Sequence, residues 1–347
     1  MKKNSGSQRI SLAHGGGGKL MHRLIKELFQ EKFANEILNE LSDSAVVEFL
    51  PKNNSSLCFT TDSYVVNPLF FPGGDIGKLA ICGTINDLAV VGAKPRYISC
   101  ALIIEEGLEY EVLKRITESM AKIARDEDVK IVTGDTKVVE KGNLDKLFIN
   151  TAGLGLRKKI NLSKETIIPG DKIIVNGSIG EHGLAILAAR GEFNFQAKIS
   201  SDCAPLTNLI QRIINLRRSA ALCGIKFMRD PTRGGLAATL NEIAGGMNFG
   251  ILINEKDIPV KKEVRAACEL LGFDPLYIAN EGKVVVIVSG KDAEVVLKAM
   301  RQDPLGKESR IIGEVTKAPG GKVIMKTKIR GSRIIDMLVG DQLPRIC

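Results

Sequence analysis

A chain of 347 residues with 44% hydrophobic and 26% charged residues has the composition of a globular protein large enough for two domains. Its net charge is +9, but the 49 basic residues are scattered among 40 acidic ones, without the dense basic and aromatic cluster that binds nucleic acid. No apolar run approaches the roughly 20 residues that span a bilayer, and no secretory signal follows the first residues. We therefore expect a cytoplasmic protein that binds neither nucleic acid nor membrane.

Alternating short apolar runs and amphipathic segments predict an α/β architecture. In the first half, apolar density and breaking residues such as Gly92 and Pro95 separate the predicted elements. The strands predicted for this half are 57–62, 97–104, 129–139 and 147–156, and the predicted helices are 76–92 and 109–125.

A polar stretch at 157–170, ending in Pro169 and Gly170, indicates a boundary between two domains. Beyond it, strands are predicted at 171–176, 249–253, 283–288 and within 310–327, and helices at 180–190, 206–220, 234–246, 261–271 and 291–301. Residues near the end combine glycine and charge without periodicity, which is typical of a mobile segment. The predicted divisions are a leader at 1–42, an N-terminal domain at 43–160, a C-terminal domain at 161–330 and a tail at 331–347.

Seven cysteines are spread along the chain, and neither their odd number nor their spacing indicates a disulfide framework or a zinc ribbon. Six of them lie within apolar stretches and are expected to be small buried hydrophobic residues. Cys347 differs because it is the last residue, where a thiol is exposed and reactive unless it is shielded. We therefore expect Cys347 to act as a covalent carrier on a mobile tail.

Three aspartates stand at or near the ends of apolar segments in the first half: Asp62, Asp87 and Asp135. Each alone is more often a helix cap or a turn residue. Together they predict hard oxygen ligands that hold Mg²⁺ with nucleotide phosphates. Lys137 would add a positive charge for those phosphates, although the Walker spacing of a P-loop is absent.

A glycine-rich segment near the start is the second unusual feature. Glycine lets backbone amides approach an anion closely, so the segment is predicted to close over phosphates as a lid. The alternative is a flexible leader without a ligand, and the flanking histidine and lysine favour phosphate binding. The residues concerned are His14, Gly15, Gly16, Gly17, Gly18 and Lys19.

Two arginines and an aspartate precede an apolar helix in the second half. Arg229, Asp230 and Arg233 come just before Gly234 and Gly235, an arrangement that suits a phosphate at a helix N-terminus. The alternative is that Asp230, or the threonine two residues later, only caps the helix.

Glu281 precedes a further apolar strand of the second half, between an asparagine and a glycine. Its carboxylate would stand at the mouth of that strand, where it can face a ligand. Taken alone, an ordinary turn is the more common interpretation of such a motif.

Together these motifs resemble the HypE family of hydrogenase maturation proteins, whose members make the cyanide precursor of the nickel–iron active site. The resemblance runs from about His14 to the last residue. Other members of the aminoimidazole ribonucleotide synthetase-like superfamily share the ATP site but lack the terminal motif, which is therefore the most specific element. Asn280 and Asp341 depart from the family pattern, where Ser and Glu are usual. The matching motifs are Thr61 to Asp75, Gly134 to Val139, Arg229 to Gly235 and Pro344 to Cys347.

The resemblance implies a two-domain α/β fold of the aminoimidazole ribonucleotide synthetase-like type. A ferredoxin-like N-terminal domain would form a homodimer, and ATP would bind in the cleft between it and the C-terminal α/β domain. A HypF-type carbamoyltransferase would place a carbamoyl group on the terminal cysteine. The chain would then dehydrate this S-carboxamide to a thiocyanate with consumption of ATP, and the cyano group would pass to iron on a HypC–HypD complex.

The implied reaction assigns roles to the motifs. Phosphoryl transfer onto the carboxamide oxygen makes it a good leaving group and mainly requires positioning and charge neutralisation. A base must then remove protons from nitrogen, for which Glu281 and Lys137 are the candidates beside the carrier Cys347. Pro344 and Arg345 are expected to position the tail. The expected phosphate-binding residues are His14, Gly15, Gly16, Gly17, Gly18, Lys19, Asn86, Thr136, Lys137, Arg229, Asp230 and Arg233, with Asp62, Asp87 and Asp135 on Mg²⁺.

Two other functions stay open at this point. Another ATP-dependent enzyme of the same superfamily would act on a small acceptor and would not need Cys347. A metallochaperone would bind a metal through Cys347 and histidines. The second is disfavoured because the histidines, His14, His22 and His182, do not stand at ligand spacing from a cysteine.

Overall fold

The computed structural model describes residues 18–30, 36, 38–50, 55–158, 160–191, 198–219, 224–338, 340, 343 and 345–347. Within these ranges, no helix is both long enough and apolar enough to cross a lipid bilayer. Several residues with predicted functions lie outside the described residues, namely His14, Gly15, Gly16, Gly17 and Pro344.

The N-terminal half is built around a five-stranded sheet. Its elements are α1 (Lys19–Leu24), which continues as a π-helical segment (Ile25–Gln30), β1 (Ala45–Leu50), β2 (Ser55–Tyr64), β3 (Phe70–Phe71), β4 (Gly74–Asp75), α2 (Ile76–Val90), β5 (Lys94–Glu105), α3 (Tyr110–Asp126), β6 (Lys130–Val139) and β7 (Leu147–Lys158). The strand order is β1-β2-β7-β5-β6, and the neighbours are antiparallel except β5 and β6. Helix α2 packs on β2, β5 and β7 and against α3, so helices cover one face of the sheet.

Helix α2 is apolar on nearly all sides because it is enclosed between this sheet and the C-terminal half. It begins after Asp75, whose Oδ1 accepts hydrogen bonds from the amides of Gly77 at 2.8 Å and Lys78 at 3.0 Å. These bonds satisfy amides that have no partner within the helix. Asp75 is therefore the N-cap of α2.

The C-terminal half is built around a seven-stranded sheet. Its elements are β8 (Lys172–Val175), α4 (Glu181–Arg190), α5 (Thr207–Ser219), β9 (Ile225–Arg229), α6 (Gly235–Ala244), β10 (Gly250–Asn254), α7 (Lys262–Leu271), β11 (Val285–Val288), α8 (Ala293–Arg301), β12 (Arg310–Thr316), β13 (Val323–Lys326) and β14 (Ser332–Ile335). The order is β14-β13-β10-β12-β8-β11-β9, and only β10 and β13 pair in parallel.

Helices pack on both faces of this second sheet. Helix α6 shares one apolar cluster with the strands, while α5 and α8 share another. Strand β11, between β8 and β9, is buried throughout, which explains its uninterrupted apolar sequence. The two-domain α/β fold expected from the sequence is confirmed.

One strand falls where the sequence predicts only a tail. Strand β14 pairs antiparallel with β13, and its Ile335 is buried. The other three residues of β14 are exposed. The strand is therefore too short to show the alternation of apolar and polar residues by which strands are recognised in a sequence. Regular structure therefore extends to Ile335, beyond the predicted start of the tail.

Candidate active site

A cavity between the two halves collects carboxyl groups from distant parts of the chain. Asp62 comes from β2, Asp87 from α2, Asp230 from the loop after β9, and Glu281 from the loop before β11. The structure thus brings together two predicted metal ligands, a predicted phosphate-binding residue and the predicted base. The cavity is also lined by Met21, Asp43, Thr60, Thr61, Ser63, Tyr64, Gly83, Arg229, Thr232, Arg233, Thr239, Glu242 and Cys347.

Burial raises the pKa of each of these carboxyl groups. Desolvation is the largest cause for Asp62, and for Asp87 it is reinforced by the charges of Asp62 and Asp230. Burial, then repulsion from Asp43, raises the pKa of Asp230 to about 8. The pKa of Glu281 is also well above its usual value, again mainly because of burial. Acidic groups crowded in this way are stabilised by a cation.

Two neighbouring hydroxyl groups orient the aspartates of β2 and α2. The Thr60 hydroxyl donates to Asp87 Oδ2 at 2.7 Å, and the Tyr64 hydroxyl donates to Asp62 Oδ2 at 3.1 Å. Alternation along β2 places Thr60, Asp62 and Tyr64 on the face that α2 covers. Gly83 makes room for the tyrosine, because a Cβ there would lie 2.2 Å from its hydroxyl oxygen.

Asp230 does not cap the next helix, which begins at a pair of glycines, and its side chain lines the cavity. The interpretation of Asp230 or Thr232 as a cap is wrong, since the N-cap of α6 is Gly234, at φ +75°, without a side-chain cap bond. Gly235 also has a positive φ, and a Cβ there would lie 2.6 Å from two carbonyl oxygens. The glycine pair makes the tight turn and leaves Asp230 and Thr232 on the cavity wall.

The two arginines of this motif have different surroundings. Arg229 forms ion pairs with Asp43 at 3.2 Å and Glu242 at 2.9 Å, so two carboxylates compensate its charge. Arg233 faces the negative charge of Cys347 first and that of Asp62 next, and both raise its pKa against the effect of burial. Arg233 is therefore the arginine oriented towards the end of the chain.

The acidic residues suit a magnesium ion that arrives with a nucleotide. Within the described ranges, no three His, Cys, Asp or Glu side chains are gathered as a ready-made metal site. Magnesium usually takes one or two protein carboxylates and completes its shell with water and phosphate oxygens. Asp62 and Asp87 are close enough to share a hydrogen bond and supply such a pair of hard oxygen ligands.

Asp135 does not join the other two predicted magnesium ligands within one chain, contrary to the prediction. In the sheet it pairs with Ala101, which pairs with Asn150, which pairs with Ser63. Paired residues share a face, so Asp135 lies on the face of Ser63 and not on that of Asp62. The cause is a bulge at Val132, one extra residue of β6 that reverses the faces after it.

Thr136 and Lys137 are likewise absent from the cavity wall of their own chain. They lie on the edge strand β6, and their side chains are exposed. The Lys137 ammonium lies 3.2 Å from the Asp135 carboxylate, a pair that solvent screens. A contribution of these three residues to the cavity of the same chain is therefore not supported.

Three further residues predicted to bind phosphate have other contacts. The Lys19 amide donates to Leu338 O, and its side chain pairs with Asp336 at 2.6 Å, both beside the start of the tail. Gly18 is the buried N-cap of α1. Asn86 Nδ2 donates to the backbone oxygens of residues 204 and 281, and its Oδ1 accepts from the amide of residue 206. Asn86 therefore joins the two halves and positions the Glu281 loop.

The end of the chain lies against residues 65–67, beside the cavity. The Val65 amide donates to Cys347 O at 3.0 Å, and the Asn67 amide donates to Arg345 O at 3.3 Å, as in an antiparallel pair. Arg345 Nη1 donates to Asp145 Oδ2 at 2.7 Å, so Asp145 is the carboxylate partner of this side chain. Cys347 is thereby placed on the cavity wall.

Sequence reasoning missed several residues of this region. Asp43 precedes the apolar strand β1 and follows the same pattern as the predicted aspartates, so that pattern identifies it. Glu242 lies three residues after Thr239 on α6, and residues at this spacing share a helix face. His22 pairs with Glu242 at 2.9 Å, and only the three-dimensional structure reveals this contact.

Both halves match family models of known proteins. Residues 41–157 match the model described as AIR synthase related protein, N-terminal domain. Residues 169–326 match AIR synthase related protein, C-terminal domain. Carbamoyl dehydratase HypE of Bradyrhizobium diazoefficiens is 50% identical over 339 residues, covering 97% of this chain and 96% of that protein.

Two crystal structures resemble the chain over both halves. One, of a HypE–HypF complex, has a TM-score of 0.83 and 47% identity, and covers 91% of this chain and 99% of that chain. The other, of hydrogenase maturation protein HypE in complex with ATP, has a TM-score of 0.78 and 45% identity, and covers 98% of this chain and all of that chain. The similarity therefore includes the cavity between the halves.

Proposed function

Because the chain belongs to the HypE family of AIR synthase related proteins, it is an ATP-dependent carbamoyl dehydratase of hydrogenase maturation, and we propose that Cys347 carries the group it dehydrates. The observation that supports this proposal most is the position of Cys347 on the wall of the carboxylate cavity. A carrier thiol needs to reach the reacting groups, and this one lies beside Asp62, Glu281 and Arg233.

The dehydration needs both a phosphoryl donor and a base. The oxygen of an S-carboxamide on Cys347 attacks the γ-phosphorus of ATP, and ADP leaves. Phosphate then leaves with that oxygen as the nitrogen gives up its two protons, and the product is an S-cyanate on the sulfur. Glu281 is the proposed proton acceptor, because it lines the cavity beside Cys347 and burial raises the pKa of its carboxyl group, which makes the carboxylate a stronger base.

Asp62 and Asp87 are the proposed magnesium ligands, and Asp230 lies next to them in the cavity. A bound Mg²⁺ neutralises charge on the transferred phosphate. Arg233 adds a guanidinium that faces Cys347 and orients the oxygen-rich groups of the reaction. Arg229 maintains the cavity wall through its two ion pairs.

A homodimer is part of the proposal, and its contact is the face of the N-terminal sheet that the helices leave uncovered. This face carries Phe59, Tyr97 and Leu156, each about half exposed at 45%, 47% and 52%. Such apolar patches mark interfaces. A second copy with the same face would bury both, as in a two-fold symmetric dimer.

The dimer also gives Asp135 and Lys137 a place in the reaction. They lie on the uncovered face, as does Ser63, which at the same time lines the cavity, whereas Thr136, between them on β6, lies on the opposite face of this edge strand. The cavity therefore opens towards the surface that a second copy would occupy. We assign Asp135 to the magnesium site and Lys137 to proton transfer in the partner copy.

The partners follow from the carried group. A HypF-type carbamoyltransferase supplies the carbamoyl group, in agreement with the structure of a HypE–HypF complex among the relatives. A HypC–HypD complex is the proposed acceptor of the cyano group. The carrier has to remain a free thiol, which places the reaction in the reducing cytoplasm.

The test is intact mass analysis after incubation with a HypF-type carbamoyltransferase, its substrates and ATP. We expect a gain of about 43 Da for the carboxamide and then a loss of about 18 Da as water leaves the thiol-bound group. Cys347→Ala should show neither change and should still bind ATP. Formation of thiocyanate or cyanide by Cys347→Ala would contradict the carrier role.

A further inference from the structure

Three consecutive backbone oxygens at the end of the chain each meet a donor fixed in the folded protein. Recognition of successive carbonyl groups defines the register of a peptide, as in strand addition to a sheet edge. The donors come from α4 and from the segment after β2. The pairs are Arg190 Nη2 with Arg345 O at 2.6 Å, His182 Nε2 with Ile346 O at 2.6 Å, and the Val65 amide with Cys347 O at 3.0 Å.

His182 is held in one orientation and one protonation state. It is fully buried, and its Nδ1 lies 2.7 Å from Ser201 Oγ. A carbonyl oxygen only accepts, so Nε2 carries the proton donated to Ile346 O and Nδ1 accepts from the serine hydroxyl. Burial lowers the pKa of His182, which keeps this neutral form.

Arg190, at the end of α4, joins the tail to its neighbouring segment. Its Nε donates to Asn67 O at 2.8 Å while Nη2 donates to Arg345 O. The Ile346 side chain is buried in the apolar cluster that contains residues of α4. Hydrogen bonds and apolar packing therefore fix the same short peptide.

The ion pair of the Arg345 side chain contributes less than the buried hydrogen bond of His182. In its ion pair with Asp145, both side chains are about one-third exposed, so water screens the attraction. The His182 bond to Ile346 O is buried, and breaking it leaves a polar group without water. The polar contacts that fix the tail are therefore mainly those of its backbone oxygens, and they act together with the packing of Ile346.

We propose that His182 and Arg190 are positioning residues that hold the tail in register by its backbone and so present the Cys347 sulfur to the cavity. This inference rests on the proposed carrier function of Cys347. Because the recognised atoms are backbone oxygens, a change at the sulfur leaves these hydrogen bonds in place. The free thiol and the carbamoylated thiol are then held in one register.

The test compares His182→Asn with His182→Gln in the full chain, without nucleotide or carbamoyl donor. The glutamine amide reaches the position of Nε2 and still donates to Ile346 O, whereas the shorter asparagine reaches only Ser201. Iodoacetamide is the probe, and mass spectrometry of the C-terminal peptide follows alkylation of Cys347. We expect His182→Asn to accelerate alkylation about three- to tenfold, the effect of losing one hydrogen bond, and His182→Gln to stay near wild type.

Arg190→Met provides a second measurement, with Arg125→Met as its matched control. Both arginines lie in the last turn of a helix, Arg125 in α3 and Arg190 in α4. The side chain of Arg125 is exposed, whereas that of Arg190 is half-buried. Only Arg190→Met should accelerate alkylation, and thermal unfolding establishes that each variant is folded. Equal rates for His182→Asn and His182→Gln, or for the two arginine variants, would overturn the proposal.

The alkylation experiment is independent of the carrier chemistry, because it uses neither ATP nor a carbamoyl donor. Product formation by Cys347→Ala would end the carrier role while leaving any difference between His182→Asn and His182→Gln intact. Conversely, the wild-type chain could gain and lose the expected mass while His182→Asn and His182→Gln are alkylated at equal rates. This result would support Cys347 as the carrier and exclude His182 as a positioning residue.

Discussion

Two aspartate motifs that look alike in the sequence have opposite environments in the fold. Asp62, between two hydroxyl residues on β2, faces the cavity between the two halves, and burial raises its pKa. Asp135, before a threonine on β6, is exposed, and hydrogen bonding to Lys137 lowers its pKa. The difference shows that the face of the sheet, rather than the sequence motif, decides where a carboxylate lies. One face points into the cavity of the same chain, and the other is a surface that a second copy can cover.

The largest effect is expected inside the cavity, at Glu281. Glu281→Gln keeps the shape but removes the base, so the single-turnover conversion of carboxamide to thiocyanate should slow by about 10²- to 10⁴-fold. The matched control is Glu140→Gln, an exposed acid just after β6, which should leave the rate unchanged. Mass analysis of quenched samples gives both rates, and a normal rate for Glu281→Gln would exclude it as the base.

Mixing two inactive variants tests whether the two faces act together. Asp87→Asn damages the cavity and Asp135→Asn damages the uncovered face, so each variant alone should lose most dehydration activity. If Asp135 acts across a dimer, equal mixing produces heterodimers with one intact site, and roughly a quarter of the wild-type activity returns.

Exchange of subunits in the mixture is verified with a mass-tagged copy of one variant. No recovery after complete exchange would mean that both aspartates act within one chain. Full activity of Asp135→Asn alone would remove Asp135 from the site altogether.

A smaller effect is expected from a charge on the apolar part of the uncovered face. Leu156→Glu would bury an unpaired carboxylate in the proposed dimer contact and weaken it at least about tenfold, or about 1.4 kcal/mol. Light scattering over a dilution series measures the change in association. Tyr110→Glu, at an exposed position on α3, is the control and should leave association unaltered. A wild-type protein that is monomeric at all concentrations would refute the dimer.

Much of the architecture and part of the cavity follow from local sequence patterns. The predicted strands and helices are largely found, because apolar periodicity reports which face of an element is buried. Asp62, Asp87 and Glu281 line one cavity. The sequence could predict this because acidic residues at the ends of buried elements are typical of a shared binding site. Cys347 lies on the wall of the same cavity, a position that the sequence alone does not indicate.

The remainder depends on information that local patterns do not contain. The face of Asp135 is set by the bulge at Val132, and a single extra residue leaves no clear trace in a run of exposed side chains. The contacts of His182 and Arg190 with the tail connect residues more than 150 positions apart. An isolated buried histidine gives no sign of such a partner.

The Asn86 side chain has a mechanical consequence for the enzyme. Its amide spans the two halves with three hydrogen bonds, and a hinge opening of the cleft would break all of them at a buried site. Each bond left unmade in the interior costs about 1–3 kcal/mol, so wide separation of the halves is rare. We therefore expect nucleotide to enter and leave by displacement of small segments of the cavity wall, such as the chain end at Cys347, which would link nucleotide exchange to movement of the carrier.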